Sequence, residues 1–97
     1  MNGKLRDEHF DHLYQAILTL KTVEECANFF EDLCTVSELK AMSQRFWVAE
    51  LLQDGKLYND IVKTTGASTT TISRVNRSLT YGNDGYTTVL KRLKEKE

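Results

Sequence analysis

The chain contains no proline, so no residue in it breaks a helix outright. Its breaks must come from glycine and from short polar residues. Long apolar runs are also missing. The longest is four residues, Phe46–Ala49, against the roughly 20 that cross a bilayer. The first ten residues, MNGKLRDEHF, have no apolar segment of the kind a signal peptide requires and turn acidic at once. A cytoplasmic location with no membrane partner is therefore expected. Cysteine is scarce: Cys26 and Cys34 are too few for a secreted disulfide scaffold. On one helix they would stand about 12 Å apart along the axis, too far to bridge, so reduced and partly buried thiols are expected.

Charge of one sign is missing from one stretch. The formal net charge is −1, which by itself points to no polyanionic partner. Between Asp60 and Asp84, however, there is no Asp or Glu, in a chain that holds 14. At the average frequency such a stretch would carry about three. It carries instead Lys63, Arg74, Arg77 and a run of hydroxyls.

What is present is helical periodicity. The chain has 97 residues, 40% apolar and 28% charged, which suits one all-α domain spanning 1–97. Phe10, Leu13, Tyr14, Ile17 and Leu18 recur at helical spacing, as do Val23, Cys26, Ala27, Phe30 and Leu33. Thr22 with Glu25, and Thr35 with Glu38, read as capping boxes opening the second and third helices. Asp54-Gly55 ends the third helix, and a short helix runs from about Tyr58 to Thr65. After a Gly66-Ala67 turn, Ser68 caps a fifth helix reaching about Thr80. Gly82-Asn83-Asp84-Gly85 is a loop, and Tyr86, Val89, Leu90 and Leu93 mark a sixth helix.

The third helix is apolar all round. Leu39 and Phe46 share one side, Ala41, Val48 and Leu52 point the opposite way, and Met42, Ala49, Trp47 and Leu51 fill the flanks. A helix apolar on all sides is buried on all sides, and a chain this short can hardly enclose it alone. An intertwined homodimer is expected, a central core helix in a monomer being the other arrangement.

Residues Tyr58–Thr80 fit a helix-turn-helix. Gly66 supplies the sharp turn and Ala67 fits beneath it. Ile61 and Val62 face inward from the first helix; Ile72, Val75 and Leu79 do so from the second. With Ile72 inward, Thr70, Ser73, Arg74 and Arg77 point outward and Thr69 stands at the leading edge. Ser68, Thr69, Thr70 and Thr71 are a poor choice for helix stability alone. Acidic residues would suit the first turn better, because its free N–H groups attract negative charge. Leaving them out keeps that end open to a backbone phosphate. In this motif the start of the second helix enters the major groove, where short hydroxyl side chains permit close approach. Arg74, Arg77 and Lys63 would neutralise phosphates. Double-stranded DNA is the expected partner of Lys63, Gly66, Ala67, Ser68, Thr69, Thr70, Thr71, Ser73, Arg74 and Arg77.

The segments DLCTVSELKAMSQRF, LLQDGKLYNDI and GASTTTISRVNRSLTYGNDGY resemble the Trp repressor family, and more closely its YerC/YecD-type TrpR-related members. The resemblance implies an all-α dimer with interlocked subunits, a helix-turn-helix in each, and a role as transcriptional regulator. It also matches Thr35, Arg45 and Arg74 to the threonine and arginines that flank the corepressor, and Thr71 and Ser78 to further pocket positions. The family repressor has glycine directly after the second arginine. Val75 stands there instead, and its isopropyl group would fill part of the indole slot at a cost of about 1–3 kcal/mol. L-Tryptophan is therefore disfavoured as a corepressor. Leu57 stands where the closer relatives tend to have a capping threonine, which leaves the start of the first motif helix open.

Other chemistry has little support. His9 and His12 could share a metal on one helix face, but no further ligands stand nearby, and no metal site is expected. No phosphate-binding glycine loop and no spacing of a catalytic triad is present, so no enzyme activity is expected. The reading of a different class is a helical protein-interaction module, with Trp47 and the third helix as its docking surface.

Overall fold

The structure, a computed structural model, describes residues 7–96. Six helices follow one another: α1 Glu8–Ile17, α2 Val23–Leu33, α3 Val36–Gln53, α4 Tyr58–Thr65, α5 Thr69–Tyr81 and α6 Gly85–Glu95. The fold is all-α, with no strand among the described residues. The breaks fall near the polar and glycine positions read from the sequence, with three differences: α1 ends at Ile17 with Leu18 as its C-cap, α5 runs one residue further, to Tyr81, and Gly85, read as loop, is the first residue of α6.

The caps explain these boundaries. Thr35 Oγ1 accepts from the Glu38 N–H at 3.1 Å, and Glu38 Oε1 accepts from the Thr35 N–H at 2.8 Å, a reciprocal capping box. The Thr35 N–H foremost, and the Thr35 hydroxyl after it, hold the Glu38 carboxyl below the usual glutamate range. The box at α2 is displaced by one residue. Thr22 Oγ1 accepts from the Glu25 N–H at 3.0 Å, but Glu25 Oε1 reaches past Thr22 to the Lys21 N–H at 2.9 Å. α3 ends in a Schellman motif, with the Lys56 N–H on the Leu51 carbonyl, the Gly55 N–H on that of Leu52, and Gly55 at φ 80°.

The chain divides within α3 into two units, Met1–Leu39 and Lys40–Glu97. In the first, neither α1 nor α2 has a buried residue. Phe29 and Phe30 meet edge to face at 5.6 Å, while Leu18 and Val23 are 83% and 87% exposed. Cys26 lies within α2 and Cys34 is its C-cap; both carry free, half-buried thiols.

The second unit holds the core. Val48 and Ala49 from α3, Ile61 from α4, Ala67 from the turn, Ile72 and Val75 from α5 and Leu90 from α6 form one buried cluster. Burying an isoleucine such as Ile61 or Ile72 contributes about 1.5–3 kcal/mol. Phe46 and Tyr86 stack with ring centroids 6.5 Å apart, and Gln53 Nε2 donates to Thr87 Oγ1 at 3.3 Å, tying α6 to α3. The Lys94–Asp54 pair, at 3.9 Å and solvent-exposed, adds little. The Val48–Ala49 side of α3 is buried, whereas Trp47 remains 45% exposed.

Candidate nucleic-acid interface

α4 begins behind Leu57, which is extended at φ −78° and ψ 151° and makes no side-chain cap bond. The helix therefore starts at Tyr58, where the sequence placed it, without a hydroxyl cap; Asp60 in the first turn complements the dipole. Ile61 points into the core, and Gly66 ends the helix in the left-handed region at φ 73°. Only glycine adopts that conformation without strain.

The turn is held by a residue the sequence reading passed over. Thr65 Oγ1 donates to the Ile61 carbonyl at 2.7 Å and accepts from the Ala67 N–H at 3.1 Å. Gln44, on α3, donates from Nε2 to the Thr65 carbonyl at 3.3 Å. A hydroxyl directly before the turn glycine was the available signal. Ala67, 2% exposed, fits beneath the turn, and α4 and α5 pack against each other.

Ser68 is the N-cap of α5, and its Oγ accepts from the Thr71 N–H at 3.1 Å. It also donates to Thr71 Oγ1 at 3.1 Å. Thr71 therefore occupies the position that Glu25 and Glu38 hold in the earlier boxes, and the cap is closed without a carboxylate. Thr69, Thr70 and Ser73 are left exposed. Each of α1 to α4 has an acidic residue in its first turn; α5 has none.

Ile72 and Val75 are buried, and this fixes the rotation of α5. Thr69, Thr70, Ser73, Arg74 and Arg77 line one groove of about 380 Å³ on its outer face. A second groove, about 450 Å³, continues along the helix between Arg74, Arg77, Ser78, Tyr81 and Gly82. Arg74 and Arg77 are exposed, and neither makes an ion pair or hydrogen bond among the described residues. The outer face is thus two free guanidiniums among hydroxyls, a surface suited to phosphate oxygens. Lys63 is exposed in the last turn of α4 and lines neither groove. Gly66 and Ala67 shape the turn.

The residues matched to the corepressor positions are dispersed in their roles. Arg74 and Ser78 share the second groove. Arg45 is exposed, Thr71 is engaged by Ser68, and Thr35 caps α3. Val75 is 2% exposed and belongs to the buried cluster, so its isopropyl group is taken up by the core.

Comparison with known proteins gives concordant results. The family model described as Trp repressor protein matches residues 8–94. YerC of Bacillus subtilis (strain 168), a protein of uncharacterised function, is 52% identical over 94 residues, covering 97% of this chain and 90% of that one. A solved TrpR-like protein from Eubacterium eligens is 55% identical with a TM-score of 0.92, covering 96% of each chain. A second solved structure, from Staphylococcus aureus, is 52% identical with a TM-score of 0.92, over 97% of this chain and 95% of that one.

Proposed function

Because the chain belongs to the Trp repressor family, we propose that it is a sequence-specific DNA-binding transcriptional regulator, a repressor, acting through α4 and α5 as a homodimer. One observation carries this reading. The outer face of α5 presents Arg74 and Arg77 unpaired beside exposed Thr69, Thr70 and Ser73, with no carboxylate between Asp60 and Asp84 to repel a polyanion. The start of α5 approaches base edges in the major groove, where hydroxyls contact either bases or phosphates. Arg74, Arg77 and Lys63 neutralise the flanking phosphates, while Gly66 and Ala67 set the angle between the two helices.

The homodimer is supported by the apolar surface one chain leaves open. Neither α1 nor α2 has a buried residue, and Phe10, Tyr14, Leu18, Val23 and Leu33 are each more than 40% exposed, as is Trp47 on α3. A homodimer also suits a two-fold operator, which takes one α5 from each copy. The protein works in the cytoplasm on this reading, with no catalytic step of its own.

The test is selection of bound sequences from random duplex DNA. A palindromic motif is the expected return; recovery of no enriched sequence, with retention of duplex no greater than that of bare resin, refutes the reading. Light scattering at micromolar concentration should give the mass of two chains, and the mass of one refutes the dimer.

A further inference from the structure

Tyr81 is the last residue of α5 and is 82% exposed, so it adds nothing to the core. Counted along the helix it lies at i+11 from Thr70, i+7 from Arg74 and i+4 from Arg77, all on the side opposite Ile72. It also lines the same groove as both guanidiniums. Its position is firmly set. The Gly82 N–H closes the helix on the Ser78 carbonyl at 2.9 Å, and a Cβ at Gly82 would overlap that carbonyl oxygen. The chain therefore turns away immediately after Tyr81 and leaves the phenol projecting.

We propose that Tyr81 is a further DNA contact, its phenol hydroxyl donating to a backbone phosphate at the rim of the groove that receives α5. The proposal rests on the reading of α5 as a groove-binding helix. From Thr69 to Tyr81 the helix advances about 18 Å, whereas the major groove is about 12 Å wide and 8.5 Å deep. With the start of α5 at the base edges, its far end has passed the groove floor and reached the sugar–phosphate rail. A phenol there is a fitting donor, since hydroxyl contacts to phosphate position a protein without reading sequence. Charge selects this occupant over a second protein chain. The two guanidiniums sharing the groove have no acidic partner among the described residues, and apolar cover would desolvate them uncompensated.

The test titrates the full chain and its Tyr81→Phe, Tyr81→Ala and Arg77→Ala variants against a random-sequence duplex pool over a salt series. Both tyrosine variants should bind about 10–100-fold more weakly, the net worth of two hydrogen bonds, one from each copy of the dimer. Their log–log salt slope should match the parent, because a phenol releases no counterion, while Arg77→Ala should flatten it. Tyr81→Phe keeps the ring, so an unstable alanine variant does not decide the outcome. Full affinity in both tyrosine variants overturns the proposal and leaves the reading of α5 standing. Full affinity in Tyr81→Phe alone also overturns it, since the hydroxyl then contributes nothing. A fall from the mass of two chains to that of one in light scattering for Tyr81→Ala, with unchanged DNA affinity, overturns it as well, by assigning the phenol to a subunit contact. Absence of duplex binding by the parent refutes both the proposal and the reading beneath it.

Discussion

Replacing Arg77 by alanine should change how DNA binding responds to salt, and by an amount that can be worked out. Each chain presents Arg74, Arg77 and Lys63 to solvent, and the two arginines have no partner among the described residues. If each cation neutralises one phosphate in both copies of a dimer, about six counterions are released, giving a log–log slope near −5.4. Raising salt from 50 to 200 mM should then weaken binding roughly 2,000-fold. Arg77→Ala removes two of those contacts, so the slope should relax to about −3.6 and the same change of salt should cost about 150-fold. Fluorescence anisotropy of a labelled duplex across the salt series measures both numbers. The substitution should leave the thermal midpoint unchanged, because the side chain is exposed and packs on nothing in the core. A parental slope near zero would show that association is not ionic. A steep slope that Arg77→Ala leaves unaltered would show that this face of α5 does not meet the phosphates.

Three further outcomes are expected. Thr35→Ala should raise the Glu38 carboxyl only part of the way from its lowered value toward that of a free glutamate, because the larger cause, the bond from the backbone N–H at position 35, survives; carbon-detected NMR titration reads the shift. The sign follows: the capping contribution is present above the ordinary glutamate pKa of about 4.3 and is lost as pH falls through the lowered folded value; a parent chain whose Glu38 titrates as a free glutamate contradicts the capping box. Gly66→Ala should cost about 1–2 kcal/mol, since its Cβ meets open space and only the left-handed backbone is penalised. Gly82→Ala should cost about 2–4 kcal/mol, because its Cβ collides with the carbonyl that accepts the helix-closing bond; urea unfolding that reverses this order would refute the geometry of the α5 end. Calorimetry with L-tryptophan should show no micromolar binding, because the Val75 side chain is buried in the core where the family repressor has glycine, and a clear heat of binding in that range would show that the slot is open.

The division between what could be read and what could not follows the range of the forces. Caps and turns depend on hydrogen bonds between residues a few positions apart, so Thr35 with Glu38, Ser68 before α5, and the glycines at positions 55 and 66 could be placed from their neighbours alone. Inward and outward faces of α5 were equally legible, since a helix repeats every 3.6 residues and Ile72, Val75 and Leu79 mark one side. Thr65 and Gln44 were not, because the bond from Gln44 to the Thr65 carbonyl joins residues 21 positions apart. No local pattern announces such a meeting.

The sequence by itself determined six helices, a tight helix–glycine–helix turn and a carboxylate-free hydroxyl face, because each is a consequence of short-range backbone and side-chain chemistry. Only the tertiary structure decided that Gln44 reaches the Thr65 carbonyl, that Leu90 is the residue of α6 buried in the core, and that Tyr81 shares a groove with Arg74 and Arg77. Those facts depend on how far α5 extends and on what α3 and α6 press against. Packing between distant segments fixes both, whereas composition and spacing do not.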